Sequence, residues 1–176
     1  MIIRIRTAFA AITLALLATT ASAQLHFQTP SDNELHSSYC QAVLKAQIDW
    51  IQPELAKADA YANTEQKAPS SPERQPFTPK QRTEMHELLA KLQSAQDRIN
   101  AYLIPRLASL EPTAMLAALR RAEMDWREFQ AMRDRCGKKC NAIAAADQIG
   151  ACWTSCADQA LIARIEACAE PNWLPF

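Results

Sequence analysis

Glycine is almost missing from this 176-residue chain: Gly137 and Gly150 are the only two. Phosphate-cradling loops and nucleophile elbows need glycine where the backbone turns sharply or touches a ligand. That scarcity argues against nucleotide binding. A basic surplus is missing as well, since 19 Lys and Arg face 19 Asp and Glu. Nucleic acid and anionic lipid are therefore not expected partners. No apolar run reaches the ~20 residues of a membrane-spanning helix, so no integral membrane segment is expected in the mature chain. Cys-x-x-Cys in a βαβ setting, the mark of thiol-oxidoreductases, is absent too.

The N-terminus carries an export pattern instead. Arg4 and Arg6 form a positive n-region, Ala8 to Ala18 an apolar h-region, and Ala21-Ser22-Ala23 a small-residue cleavage site. A mitochondrial presequence would spread its arginines along one amphipathic face, whereas here both precede a continuous apolar block. Residues 1–23 read as a secretory signal peptide, cleaved near Ala23. No cysteine stands at the lipobox position, so a lipid anchor is not indicated. The expected product is periplasmic or secreted, a single helical domain over residues 24–176.

Abundant Ala, Leu, Gln, Glu, Lys and Arg give the mature chain a helical composition. Ser31-Asp32-Asn33-Glu34 is a capping box that opens a first helix with Leu35, Tyr39, Ala42, Ala46 and Trp50 as its apolar stripe. Pro53 is expected to kink it. A Pro-rich loop follows at about 64–79, with four prolines, Ser70 and Ser71. Thr78-Pro79-Lys80-Gln81 is a second capping box, starting a helix whose stripe is Met85, Leu88, Leu92, Ala95, Ile99 and Tyr102. Pro105 is expected to bend or end that helix, and Glu111-Pro112 to separate it from a third. There, Met115, Leu119, Ala122, Trp126, Phe129, Arg133, Cys136 and Cys140 alternate steps of four and three, the spacing of a packing seam. A fourth helix is expected to carry Cys152, Cys156, Leu161, Ile165 and Cys168, with Pro171 ending it. The predicted fold is all-α, a four-helix bundle-like domain with a disulfide-stapled C-terminal helical hairpin.

Six cysteines in an exported chain read as three disulfides. Cys136 and Cys140 share one helix face, as do Cys152 and Cys156 on the next helix. If those helices run antiparallel, Cys140 meets Cys152 near the turn and Cys136 meets Cys156 further out. Cys168 is left for Cys40. A zinc site of four thiolates is the alternative, Cys-x3-Cys being less diagnostic than Cys-x2-Cys.

Few other residues suggest chemistry. His36 and Cys40 lie four apart, a spacing that suits a metal, but His26 and His86 are far from them in sequence. Met115, Met124 and Met132 read as core filler rather than as copper ligands. Glu123, Asp125, Glu128 and Asp134 alternate with Arg120, Arg121, Arg127, Arg133 and Arg135, which reads as a solvated, ion-paired surface. No catalytic residue, metal ligand or cofactor is assigned. The apolar tail Pro171-Asn172-Trp173-Leu174-Pro175-Phe176 is expected either to pack on the bundle or to offer anchors to a partner. A terminal Phe also occurs in outer-membrane barrels, but the alternating strands these require are missing.

The segment Leu119-Arg120-Arg121-Ala122-Glu123-Met124-Asp125-Trp126-Arg127-Glu128-Phe129 resembles the signature of the bacterial LprI-type lysozyme-inhibitor-like family, roughly Leu-Arg-x-Ala-Gln-x-x-Trp-x-x-Phe followed by Arg-Asp and a cysteine. Leu119, Arg120, Ala122, Trp126 and Phe129 match in register, Glu123 replaces the usual glutamine, and Arg133-Asp134 with Cys136 comes a few residues late. The resemblance covers about a tenth of the chain. It implies a small exported helical domain that inhibits a lysozyme-type peptidoglycan hydrolase, a protein partner. Arg127, Arg133, Trp153, Trp173 and Phe176 are the candidate contacts. An immunity protein against a toxin is a variant of this reading. A structural or scaffolding envelope protein and a metal-binding carrier are the alternatives.

Overall fold

The computed structural model describes residues 27–63, 77–142 and 146–175. The expected signal peptide, most of the Pro-rich loop and Phe176 lie outside them. Five helices and no strands occur among the described residues: α1 (Asp32–Asn63), α2 (Pro79–Leu107), α3 (Pro112–Cys140), α4 (Ala146–Cys156) and α5 (Gln159–Ala167).

Local chemistry sets the helix starts. Before α1, the Ser31 N–H donates to Glu34 Oε2 at 2.8 Å, while the Glu34 N–H donates to Ser31 Oγ at 3.3 Å. The Thr78–Gln81 box before α2 is also closed in both directions, with Pro79 in the first turn. Glu111 caps α3 by accepting from the N–H groups of Thr113 and Ala114. A hydrogen bond with the Thr113 side chain, and then these backbone bonds, hold the Glu111 carboxyl below the ordinary carboxylate range.

Neither proline ends a helix. α1 runs through Pro53 to Asn63, and α2 runs two residues past Pro105. Helix packing outweighs the local cost here, because α1 is the central element: it packs on both α2 and α3, while α4 and α5 pack on α3. Its buried line is Cys40, Leu44, Ile48, Ile51, Leu55 and Ala58, flanked by Tyr39 and Val43. The expected stripe through Ala42, Ala46 and Trp50 is thus rotated from the true one, and Trp50 is exposed. A helix wedged between two neighbours buries more than one stripe, so a single line of apolar residues does not fix which face is inside. On α2, Leu92, Ala95, Ile99 and Tyr102 are buried as expected, together with Leu103, whereas Leu88 is exposed. One apolar cluster joins α1, α2, α3, α5 and Leu174 of the tail. Each fully buried leucine in it, Leu44 or Leu161 for example, contributes roughly 1.5–3 kcal/mol by leaving water.

The expected fourth helix is two helices. Ala157 ends the first, and Asp158 caps the second by accepting from Ala160 and Leu161 N–H at 2.9 and 3.0 Å. The chain bends between them, so α5 turns back toward α1. Disulfides join Cys136 to Cys156 and Cys140 to Cys152, linking α3 and α4, and join Cys40 to Cys168, linking α1 to the end of α5. No cysteine is free, so the four-thiolate zinc alternative has no thiolate to use. Ahead of α1, Gln28 pairs with the α2–α3 turn: its N–H donates to Ser109 O at 2.7 Å and its carbonyl accepts from the Glu111 N–H at 2.9 Å. No helix among the described residues is long and apolar enough to cross a membrane.

Candidate functional site

α3 organises three surfaces. Its inward line is Met115, Ala122, Cys136 and Cys140, and each flank of that line opens into a different hollow.

On one flank, Trp126, Phe129 and Arg133 face the second half of α1. The Trp126 and Phe129 rings stack at 5.3 Å between centroids, and the Arg133 guanidinium lies over Trp50 at 4.2 Å. Trp50, Ile51, Leu88, Leu92, Trp126, Phe129 and Ile162 line a groove of about 540 Å³. The Lys91–Glu170 ion pair, 2.6 Å long, stands at its edge. Lys91 holds the Glu170 carboxyl below its ordinary range.

On the other flank lies Asp125, only 2% exposed. The reading of Asp125 as part of a solvated charged surface is therefore wrong. Its position falls on the seam, three residues after Ala122 and seven before Met132, and α1 and α5 close over it. A carboxylate in that place needs partners to offset its lost hydration. Arg121 Nε stands 3.0 Å from Oδ1, Arg164 Nε stands 3.3 Å from Oδ2, and the Tyr39 hydroxyl donates to Oδ2 at 2.9 Å. Burial first, and then the hydrogen bond to Asp125 and its charge, push the Tyr39 phenol up to about 12, against a smaller opposing effect of Arg164. One carboxylate thus ties α1, α3 and α5 together. Above it opens a shallow cleft of about 650 Å³ lined by His36, Tyr39, Arg121, Asp125, Ala163, Arg164 and Ala167.

His36 closes one end of this cleft. Its ring stacks with Tyr39 at 6.2 Å, meets Trp173 edge-on at 4.3 Å, and places Nε2 3.7 Å from Cys40 Sγ. Since Cys40 is disulfide-bonded, that contact is not half of a metal site, and no group of three or more metal-ligating side chains occurs among the described residues. Burial lowers the His36 pKa. The folded state therefore favours neutral imidazole. Its contribution to stability is complete above the unfolded pKa of about 6.5 and is lost as pH falls from there through the folded value. The urea midpoint should drop between pH 7.5 and pH 5, and His36→Gln should flatten part of that slope; an unchanged slope in the variant would remove His36 as its source.

The third surface is the outer face of α3. Leu116 is 50% exposed, Met124 57% and the Arg127 side chain 81%, and Arg120 between them is also exposed. Steps of four, four and three put these four residues on one ridge. Arg127 reaches Glu123 only at 4.0 Å, a solvated pair of small energetic weight.

Phe176 lies outside the described residues, and the other four candidate contacts chosen from sequence do not share a surface. Arg127 is on the outer ridge. Arg133, with 33% of its side chain exposed, is engaged with Trp50 and with Asp134 at 3.4 Å. Trp153 is half-buried on α4, its ring lying across Gly137. Trp173 is half-buried against His36, and the Asn33 side-chain amide donates to its carbonyl at 3.5 Å. With Leu174 buried, the tail packs on the bundle as the first of its two readings held. The polar cluster around Asp125 went unrecognised, although counting the seam from Ala118 and Ala122 to Met132 and Cys136 places residue 125 inside.

In comparisons with known proteins, no family model, no curated protein and no solved structure matches this chain.

Proposed function

We propose that this protein is an exported binding protein that inhibits a lysozyme-type peptidoglycan hydrolase, acting by occlusion and without chemistry of its own. The observation that carries the reading is the division of labour on α3. The segment resembling the LprI-type signature turns Ala122, Trp126 and Phe129 toward the body of the domain and leaves Arg120, Met124 and Arg127 on the outside, in line with Leu116 one turn before them. Such a ridge suits a cleft whose catalytic groups are paired carboxylates, as those of most glycoside hydrolases are. The arginines meet carboxylates through two parallel N–H donors, while Leu116 and Met124 supply apolar anchors. Two bridges between α3 and α4 hold the ridge's helix in place, which limits the ordering cost of binding. The export pattern at residues 1–23 and the three disulfides support a periplasmic or secreted address.

Titrating the oxidised mature protein into lysozyme and cell-wall hydrolase assays tests this. Stoichiometric inhibition is expected, abolished by reduction and weakened at least tenfold, about 1.4 kcal/mol, by Arg127→Glu. No inhibition at concentrations far above the enzyme's would sink the reading for the enzymes tested. Inhibition untouched by Arg127→Glu would move the contact off this ridge.

A further inference from the structure

We propose that the cleft between α1, α3 and α5 is a carboxylate-binding site in which Arg121 and Arg164 grip the ligand. This site is separate from the outer ridge of α3 and does not depend on the hydrolase reading.

The geometry carries it. Both arginines meet Asp125 through Nε, one on each carboxylate oxygen. Arg164 also shares a hydrogen bond with the Tyr39 side chain, while Asp125 is the one ion-pair partner of each arginine among the described residues. The two side chains line the cleft and remain about half exposed, at 58% and 45%, so their guanidinium forks are open to it. A surface arginine ordinarily spends rotamer freedom when it captures an anion. Here the buried carboxylate has already oriented both forks, and the Tyr39 hydroxyl fixes that carboxylate in turn. Ala163 and Ala167, one helical turn apart on α5, line the cleft without filling it.

Charge selects the ligand. With Arg121 and Arg164 cationic, Asp125 anionic, and Tyr39 and His36 neutral at pH 7, the cluster carries one net positive charge. A monovalent carboxylate balances it, and two planar guanidinium forks match a planar carboxylate. A phosphate dianion would leave a negative excess beside Asp125.

The carboxylate could belong to a free small acid or to a peptide terminus. Three probes separate the cases by NMR, following the Arg121 and Arg164 Nε–H signals of the oxidised protein: N-acetyl-alanyl-alanine, its C-terminal amide and acetate, with inorganic phosphate as a fourth titrant. Saturable shifts with N-acetyl-alanyl-alanine and none with the amide are expected. Tighter binding of the peptide than of acetate supports a peptide terminus; equal binding supports a small acid. Arg164→Gln should weaken binding at least tenfold. Arg121→Lys, which keeps the charge but loses the fork, should do the same in a protein whose circular dichroism is unchanged. Shifts that fail to saturate with any titrant, or binding indifferent to both substitutions, would overturn the site, and phosphate binding tighter than every carboxylate would overturn the ligand class.

Discussion

Replacing Arg121 and Arg164 together with methionine should destabilise the protein by about 3–5 kcal/mol, the loss seen when a buried charge is stripped of its partners. Replacing Asp125 with alanine should cost less, about 1–3 kcal/mol. The asymmetry follows from exposure. Asp125 is enclosed, so without its arginines the carboxylate keeps only the Tyr39 hydroxyl donor and must either remain charged in poor surroundings or take up a proton. The arginines reach water, so the Asp125 substitution leaves them hydrated and orphans chiefly the Tyr39 hydroxyl. Denaturant unfolding of both variants gives the order directly. Adding Asp125→Leu to the double arginine variant should recover most of the loss, because an apolar group of similar size needs no partner there. If the alanine variant proves the weaker of the two, the network stabilises through its arginines' packing rather than through charge compensation.

How much of this was legible in the sequence depends on how local each signal is. Both capping boxes were legible, since four consecutive residues determine whether the reciprocal bonds form. The α3–α4 bridges were legible because Cys-x3-Cys sets two sulfurs on one face and an antiparallel hairpin leaves one nested arrangement. The Cys40–Cys168 pair was reached by elimination, and the bend at Asp158, which the expected single fourth helix lacked, is what brings Cys168 back to α1. The bend had a local signal: Asp158 precedes an apolar run in the N-cap position. A second signal was the step of five from Cys156 to Leu161, which breaks the step of four kept by Cys152–Cys156 and by Leu161–Ile165. Asp125 was missed for a different reason. Apolar periodicity reads a charged residue as a gap in the seam, and partners supplied by α1 and α5, 86 and 39 residues away, must join Arg121 of its own helix to make its burial tolerable. The Gln28 bridge to the α2–α3 turn has no sequence signal, being backbone bonding between distant segments.

Removing the Cys40–Cys168 bridge by Cys40→Ala and Cys168→Ala together should cost about 3–5 kcal/mol, more than removing Cys140–Cys152, for which about 3 kcal/mol is expected. The two bonds close spans of 128 and 12 residues. Cys136–Cys156 shortcuts 20 residues within the long span, but the cost of closure grows only logarithmically, so the shortcut changes little. Both sulfurs of the long bridge are fully buried, so its loss also loosens packing between α1 and α5. That is where the effect should reach the site. Tyr39 adjoins Cys40, and Arg164 lies one turn before Cys168; this bridge therefore sets the register in which they meet Asp125. Amide hydrogen exchange should accelerate through α5 in the Cys40/Cys168 variant, and the Arg164 Nε–H signal should lose its distinct shift. In the Cys140/Cys152 variant, by contrast, the change should stay near the α3–α4 turn. Equal disturbance of Arg164 in both would mean that core packing, rather than the long bridge, holds the cluster in register.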